Sequence, residues 1–460
     1  MPKARLRLLG RVAVLATFAA APAAAQTIVE QSGRIPGLPE PSIASSLPPG
    51  LADPGGVRSA LARRGILFGV NYIGEVLYNP TGGYDQGGVY DGRLEIEIQA
   101  DLGKTLGLPG LTFFTNGYQI HGQSLTADNL GVLMPASFIE ADPATRLSEI
   151  WLEQSLFQGT VSVRFGQLAA DTEFILSEGG AALLNGTWGW ASLTATNMPQ
   201  NGPAYPLSTP GVRIAYQPND AFLARLGVFN GNPAGDCPAD ADPQACNPHG
   251  LEFPLDAPPL LLAEAAYSYN QQPGQLAGTV KLGGYRNFGR YQFQHVITGG
   301  VQLDFVSARN LDTDGDFGLY VVIDQMIYRL PGAGDPRGVA VFGRVIGAPD
   351  HNPSNIYWEA GVTFSGLHAE RPNDTLAVGY ADTGISPDIS RAQRRDGRPV
   401  IASHEALLEL SYSAQIVPGF VIQPDFQYFW NPGGHAPDPN DRNVAIPDAA
   451  VFGLRTTVNY

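Results

Sequence analysis

The chain has 460 residues and a formal net charge of −15, yet only 15% of its residues are charged. The acidic excess argues against nucleic acid as a partner and suits a wet path that favours neutral or cationic solutes over anions. Mean hydropathy is −0.06, and no apolar run past the N-terminal region approaches the ~20 residues of a membrane helix, so the mature chain could cross a bilayer only as a closed barrel.

At the N-terminus, Lys3, Arg5, Arg7 and Arg11 precede a short apolar stretch, Val12 to Ala21, and Ala23-Ala24-Ala25 offers a cleavage site before Gln26. This order reads as a secretory signal peptide over residues 1–25. Residues 26–56 are rich in Pro and Ser, without strong periodicity, and read as an exposed lead-in. Val57 to Arg64 predicts a short helix, and Leu67 to Tyr78 a first strand.

From there a period of two recurs, as strands with two unlike faces require. Leu94, Ile96, Ile98, Ala100 and Leu102 alternate with Arg93, Glu95, Glu97, Gln99 and Asp101. Val161, Val163 and Phe165 alternate with Ser162, Arg164 and Gly166. Further on, Asn230 to Pro259 is a long Pro/Asp-rich stretch holding the two cysteines of the chain, Cys237 and Cys246. In an oxidising compartment these could close a small loop disulfide. Zinc does not fit, because His249 is the sole nearby imidazole. Asp312, Asp314 and Asp316 around Gly315 hint at a calcium loop, but the twelfth position is Ile323, so a solvated acidic turn is the better reading.

Leu319 to Tyr328 is apolar on both parities except for Asp324 and Gln325, and Val339 to Ile346 is equally ambiguous. Alternation returns at Ile356, Trp358, Ala360, Val362 and Phe364, against Tyr357, Glu359, Gly361 and Thr363. Ile385 to Val400, with Arg391, Arg394, Arg395 and Arg398, reads as a long loop. Ala406, Leu408, Leu410 and Tyr412 alternate with Glu405, Leu407, Glu409 and Ser411. Val417-Pro418-Gly419 is a short turn before Ile422 to Tyr428. In the last strand, Phe452, Leu454, Thr456, Val458 and Tyr460 oppose Gly453, Arg455, Thr457 and Asn459.

One lipid-compatible face, one wet face and a terminal aromatic are what the closing strand of an outer-membrane barrel should show. The expected fold is all-β: a transmembrane antiparallel up-and-down barrel over residues 57–460, with about 16 strands at ~10 residues each. No second domain and no repeat is evident.

Several stretches resemble the OprB-type carbohydrate-selective porins. They are Leu147-Ser-Glu-Ile-Trp-Leu-Glu-Gln-Ser-Leu-Phe with Val163-Arg-Phe-Gly-Gln, Gly318-Leu-Tyr-Val-Val-Ile-Asp-Gln-Met-Ile-Tyr, and Gly343-Arg-Val-Ile-Gly-Ala-Pro-Asp. Arg371-Pro-Asn-Asp-Thr-Leu-Ala-Val-Gly-Tyr, Glu409-Leu-Ser-Tyr, Pro418-Gly, Gln423-Pro-Asp and Phe452-Gly-Leu-Arg follow in order. The resemblance runs from about Val57 to the C-terminus. It implies a 16-stranded channel in the outer membrane of a Gram-negative bacterium, through which sugars diffuse passively. It also implies that the assembly machinery of that membrane reads the terminal strand. Sugars and outer-membrane lipid are then the partners. Monomer and homotrimer both stay open.

A sugar path offers hydrogen bonds and aromatic platforms. Glu149, Trp151, Glu153 and Ser155 share the lumen parity, and Arg164 lies on the lumen parity of the next strand. An Arg opposite a Glu can hold a constriction rigid, and Trp151 could stack on a sugar ring. The competing reading makes Trp151 a belt residue and the charges a wetted wall. Glu359 joins the channel-lining candidates, with Glu405, Glu409, Arg213 and Arg225 behind it. No cofactor, metal or catalytic motif is found: His404-Glu405 lacks a second His at Leu408, and no G-x-S-x-G occurs. A sugar-permeable porin is therefore weighed against a general or cation-preferring pore, and against a barrel enzyme or structural anchor.

Overall fold

A computed structural model describes residues 46–237, 241–291, 296–298, 301–303, 313–331 and 337–460. The signal peptide, residues 26–45 of the lead-in and Asp312 lie outside the described residues. The strands are β1 (Ile66–Thr81), β2 (Gly87–Asp101), β3 (Leu111–Gly122), β4 (Ala144–Leu156), β5 (Val161–Leu168), β6 (Thr209–Asn219), β7 (Phe222–Asn230), β8 (Pro259–Tyr269) and β9 (Gly278–Tyr291). A small separate hairpin, β10 (Val296–Thr298) with β11 (Val301–Leu303), follows. The remaining strands are β12 (Thr313–Arg329), β13 (Gly338–Gly347), β14 (Ser354–Ser365), β15 (Thr375–Ile385), β16 (His404–Val417), β17 (Phe420–Trp430) and β18 (Ala449–Asn459).

Apart from the hairpin, the strands form one closed antiparallel barrel in chain order, with β9 beside β12 and β18 returning to β1. The count is 16, as the alternation predicts. Closure removes every open edge, which a lipid-embedded sheet requires. Helix α1 (Val57–Arg63) leads into β1 as expected. The segment before this helix and the end of β18 meet there: Leu47 N–H donates to Asn459 O at 2.8 Å, and Tyr460 N–H to Val70 O at 2.8 Å.

The two faces separate as read from sequence. On β18, Phe452 and Leu454 are exposed, while Arg455 and Thr457 are buried inside. Ile96 and Ile98 point out and Arg93 and Glu95 point in. Leu410 and Tyr412 point out, and Glu405 and Glu409 in. The lumen side carries opposite charges in register across neighbouring strands: Glu75 with Arg455, Glu153 with Arg164, Arg225 with Glu264 and Arg344 with Glu359. Such cross-strand pairs stabilise both register and closure.

The ambiguous segments become β12 and β13. Leu319, Val321 and Ile323 face out, but the inward Tyr320 and Val322 are buried in an apolar core, as are Phe342 and Ile346. Both faces are apolar because the lumen here is filled.

Two expectations are corrected. The stretch Ile385 to Val400 contains a helix, α2 (Pro387–Arg395). Ser386 caps it by accepting from Asp388 N–H at 3.2 Å, Pro387 fits its first turn, and Arg394 and Arg395 complement its last. Of the acidic turn, the described residues Gly315 and Asp316 are buried rather than solvated. Asp316 lies buried in β12 and accepts from the Asn352 amide.

Candidate functional site: a lumen narrowed by two loops

Short turns lie at the end of the barrel where the chain starts, among them Pro418-Gly419 between β16 and β17. Long loops lie at the opposite end, and two of them enter the barrel: residues 123–143 after β3 and residues 169–208 after β5. The second crosses the lumen and meets inward side chains from β8 through β17.

Wall side chains satisfy the irregular backbone of this loop. Glu409 accepts from the Leu184 N–H, from the Asn185 N–H at 3.2 Å and from the Trp188 Nε1 at 2.6 Å. Arg344 donates to Ile175 O at 2.8 Å, Thr187 O at 2.6 Å and Gly189 O at 3.0 Å, and pairs with Glu359 at 2.6 Å. Lys281 Nζ donates to Leu176 O at 2.7 Å. Asp324 accepts from Gly179 N–H at 3.0 Å and Glu264 from Ile175 N–H at 3.0 Å. A buried loop needs this, because unpaired backbone groups cost free energy away from water.

An apolar core locks the same loop. Phe174, Leu183, Trp188 and Leu193 join wall residues Leu262, Val322, Phe342 and Leu407 in one cluster. Trp188 meets Phe342 edge-on at 5.9 Å. Gly379 on β15 makes room for it, since a Cβ there would stand 2.5 Å from the Trp188 ring. Residues 123–143 are held more lightly: Leu133 and Met134 N–H donate to Glu405, each at 2.8 Å, and Arg455 stacks over Phe138 at 4.3 Å.

The sequence candidates fall in two places. Glu149, Trp151, Glu153 and Arg164 sit together on β4 and β5. Arg164 Nε meets Glu153 at 2.7 Å, and its guanidinium lies 3.8 Å over the Trp151 ring, whose other neighbour is Phe114 at 4.8 Å. Glu149 accepts from Ala169 N–H at 3.0 Å, where the crossing loop begins. Glu359 lies apart on β14 with Arg344. Trp151 is only 3% exposed, and Glu153, at 20%, is the most open carboxylate of the group.

Arg213 and Arg344 were not joined to these two places by sequence. Arg213 on β6 faces Arg164 in register, and both are bridged by Glu153 and by Glu173 from the crossing loop, at 2.7 Å for Arg213 to each. Arg344 was not singled out at all. Its inward parity beside the outward Val345 was the available signal, hidden by the apolar Phe342 and Ile346 on the same face. Cys237 and Cys246 are bonded to each other in the loop after β7.

Loop carboxyls titrate unusually. Burial pushes Asp171 up to about 6, although it accepts from Tyr205 N–H at 2.8 Å. Burial would raise Glu173 too, but Arg164, Arg213 and Arg225 hold it well below its ordinary value of 4.5. The two act in opposite directions. A depressed carboxyl stabilises above its ordinary value and loses that stabilisation as pH falls. A raised one favours the folded loop fully below its ordinary value of 3.8, and has lost that stabilisation once pH passes about 6. Docking of residues 169–208 should therefore be firmest between about 3.8 and about 4.5, and should weaken as pH rises from there to about 6. Amide exchange across that loop should show maximal protection in the window, and Asp171→Asn should lessen the decline on its alkaline side, to which Glu178, pushed up to about 7 by burial, also contributes.

A closed 16-stranded barrel with an apolar outer belt and short turns at one end is built as an outer-membrane barrel. The profile of the family described as "Carbohydrate-selective porin, OprB family" matches residues 85–460. The chain belongs to this family. Porin B of Pseudomonas aeruginosa is 23% identical over 432 residues, covering 87% of this chain and 91% of that protein. The putative porin QuiX of Acinetobacter baylyi is 21% identical, covering 89% and 92%. The high-pH structure of Pseudomonas putida OprB superposes with a TM-score of 0.74 at 21% identity, over 91% of this chain and all of that one. The family and the fold are those of a channel. This OprB-family protein is an outer-membrane carbohydrate porin of a Gram-negative bacterium.

Proposed function

We propose that the crossing loop sets the narrow part of the sugar path, and that Glu149, Trp151, Glu153, Arg164 and Glu359 line the channel chiefly by fixing that loop. The observation that carries this reading is the fastening of residues 169–208 to the wall by Glu409, Arg344, Lys281, Asp324 and Glu264. In-register ion pairs balance one another within the wall, which suits a neutral polyol better than a charged solute. Glu153, at 20% exposure, is a wall carboxylate open enough to accept from a passing hydroxyl. A narrow, tied lumen favours mono- and small oligosaccharides. Liposome-swelling rates for sugars of graded size test the reading: a steep fall beyond disaccharides supports it, and equal rates up to large oligosaccharides refute it.

Trp151 acts here as packing between Phe114 and Arg164. Trp151→Ala should cost about 3–5 kcal/mol, as other buried aromatic truncations do. A clear fall in the thermal transition, with a small rise in single-channel conductance, is expected. Unchanged stability would mean that the ring is not packed as described.

A further inference from the structure

The loop after β7 has a second role that the sugar path does not require. Because residues 169–208 dive inward after β5, the wall is low there. The first β4–β5 pair is Ile150 with Gln167, so β4 above Ile150 has no β5 neighbour. The loop after β7 returns to fill the gap. Leu147 N–H donates to His249 O at 2.9 Å, and Gln167 Nε2 donates to Gly250 O at 3.0 Å. Gly250 has φ +65°, and a Cβ there would stand 1.9 Å from Leu147 O, so the chain can turn this tightly only at glycine.

From that anchor on β4 the chain runs to β8. Its far end is fixed by Gly231 N–H to Pro258 O at 3.1 Å and Ala257 N–H to Asn230 Oδ1 at 3.0 Å. Seven extended residues, 251–257, span about 23 Å, and four strand spacings from β8 to β4 come to about 19 Å. The segment, fixed at both ends, is thus long enough to cross the tops of β7, β6 and β5 as a lintel. Pro254 lies against Gly235, Asn247 Nδ2 holds Glu252 O at 3.2 Å, and the Glu252 and Asp256 side chains are exposed. The opposite parity is apolar and bare: Leu251 is 61% exposed, Phe253 47% and Leu255 79%.

We propose that Leu251, Phe253 and Leu255 seat the lintel among lipid acyl chains at the upper edge of the outer leaflet. The apolar belt of the barrel leads directly to it. Phe165, Val212 and Val228 are exposed on the strands below, and Phe288 and Phe317 are exposed on β9 and β12 beyond β8. A second copy of the chain is a poorer occupant, since a stable interface needs about 800 Å² per partner and three side chains on one extended segment offer far less. The lipid contact would hold the lintel down over the mouth of the crossing loop.

The test uses the full-length protein in lipid nanodiscs. Leu255→Cys would carry a nitroxide, with Val212→Cys as the belt control and Asp441→Cys as the water control. Leu255 should match Val212, reached by oxygen and shielded from a water-soluble nickel chelate. Chelate access equal to that at Asp441 would overturn the proposal. So would dipolar coupling between labels on two copies, which would assign the segment to a protein interface. If the new thiol exchanges with the Cys237–Cys246 pair, Phe253→Trp serves instead. Brominated lipids should quench it beyond the baseline set by the five native tryptophans, and no added quenching would overturn the proposal equally.

Discussion

Removing Phe452 to Tyr460 should leave no folded protein in the outer membrane. Those residues are most of β18, which pairs with β1 from Asn71↔Asn459 to Tyr78↔Phe452 and with β17 from Phe420↔Val458 to Phe426↔Phe452. Without them, two strands present unpaired N–H and C=O groups to hydrocarbon, at several kcal/mol each. The buried Glu75 also loses Arg455, its partner across the seam, and a lone buried charge is strongly destabilising. The two freed strands, β1 and β17, both run antiparallel to β18 and so parallel to each other, and cannot restore the antiparallel closure. We further propose that this strand is what the assembly machinery engages, so the truncated chain should fail before insertion. The checks are surface proteolysis of whole cells and the mobility difference between unboiled and boiled samples. Normal surface levels with heat-modifiable mobility would refute the prediction.

The outer face of this barrel is legible in sequence because lipid imposes one demand on every strand, and alternate residues answer it. Phe452 and Leu454, or Ile96 and Ile98, cannot be read otherwise once the pattern repeats. The lumen face is less legible because its demands differ from place to place. Where it meets water or backbone amides it is polar, as at Glu405 and Glu409. Where it meets the core of the crossing loop it is apolar, as at Tyr320, Val322, Phe342 and Ile346, and there the alternation disappears. The crossing loop gives no period of its own. Its backbone is satisfied by side chains far away in sequence, such as Glu409 for Leu184 and Arg344 for Thr187. The group at Glu149, Trp151, Glu153 and Arg164 was legible because two adjacent strands carry it. Its completion by Glu173 and Arg213 was not, since one comes from the loop and the other from beyond it.

Arg344→Ala should open the pore. The Arg344 side chain is buried, and its guanidinium serves Ile175 O, Thr187 O and Gly189 O while pairing with Glu359. The truncation orphans three loop carbonyls and leaves the Glu359 carboxylate buried with its cation gone. Breaking one side of a buried pair typically costs about 3–5 kcal/mol. That cost falls on the docking of the loop, because the β13–β14 ladder from Gly338↔Ser365 to Gly347↔Ile356 is backbone and stays intact. Local opening draws on a fraction of global stability, so the loop should leave the lumen while the barrel persists. Single-channel conductance should rise severalfold, and swelling rates for small and large sugars should converge, with heat-modifiable mobility unchanged. Arg344→Met with Glu359→Met separates the two causes. Removing both charges should recover much of the thermal stability, since an apolar replacement of a buried pair is often neutral. It should not restore the constriction, because the loop carbonyls still lack donors. Wild-type conductance in both variants would place the narrowing elsewhere than in residues 169–208.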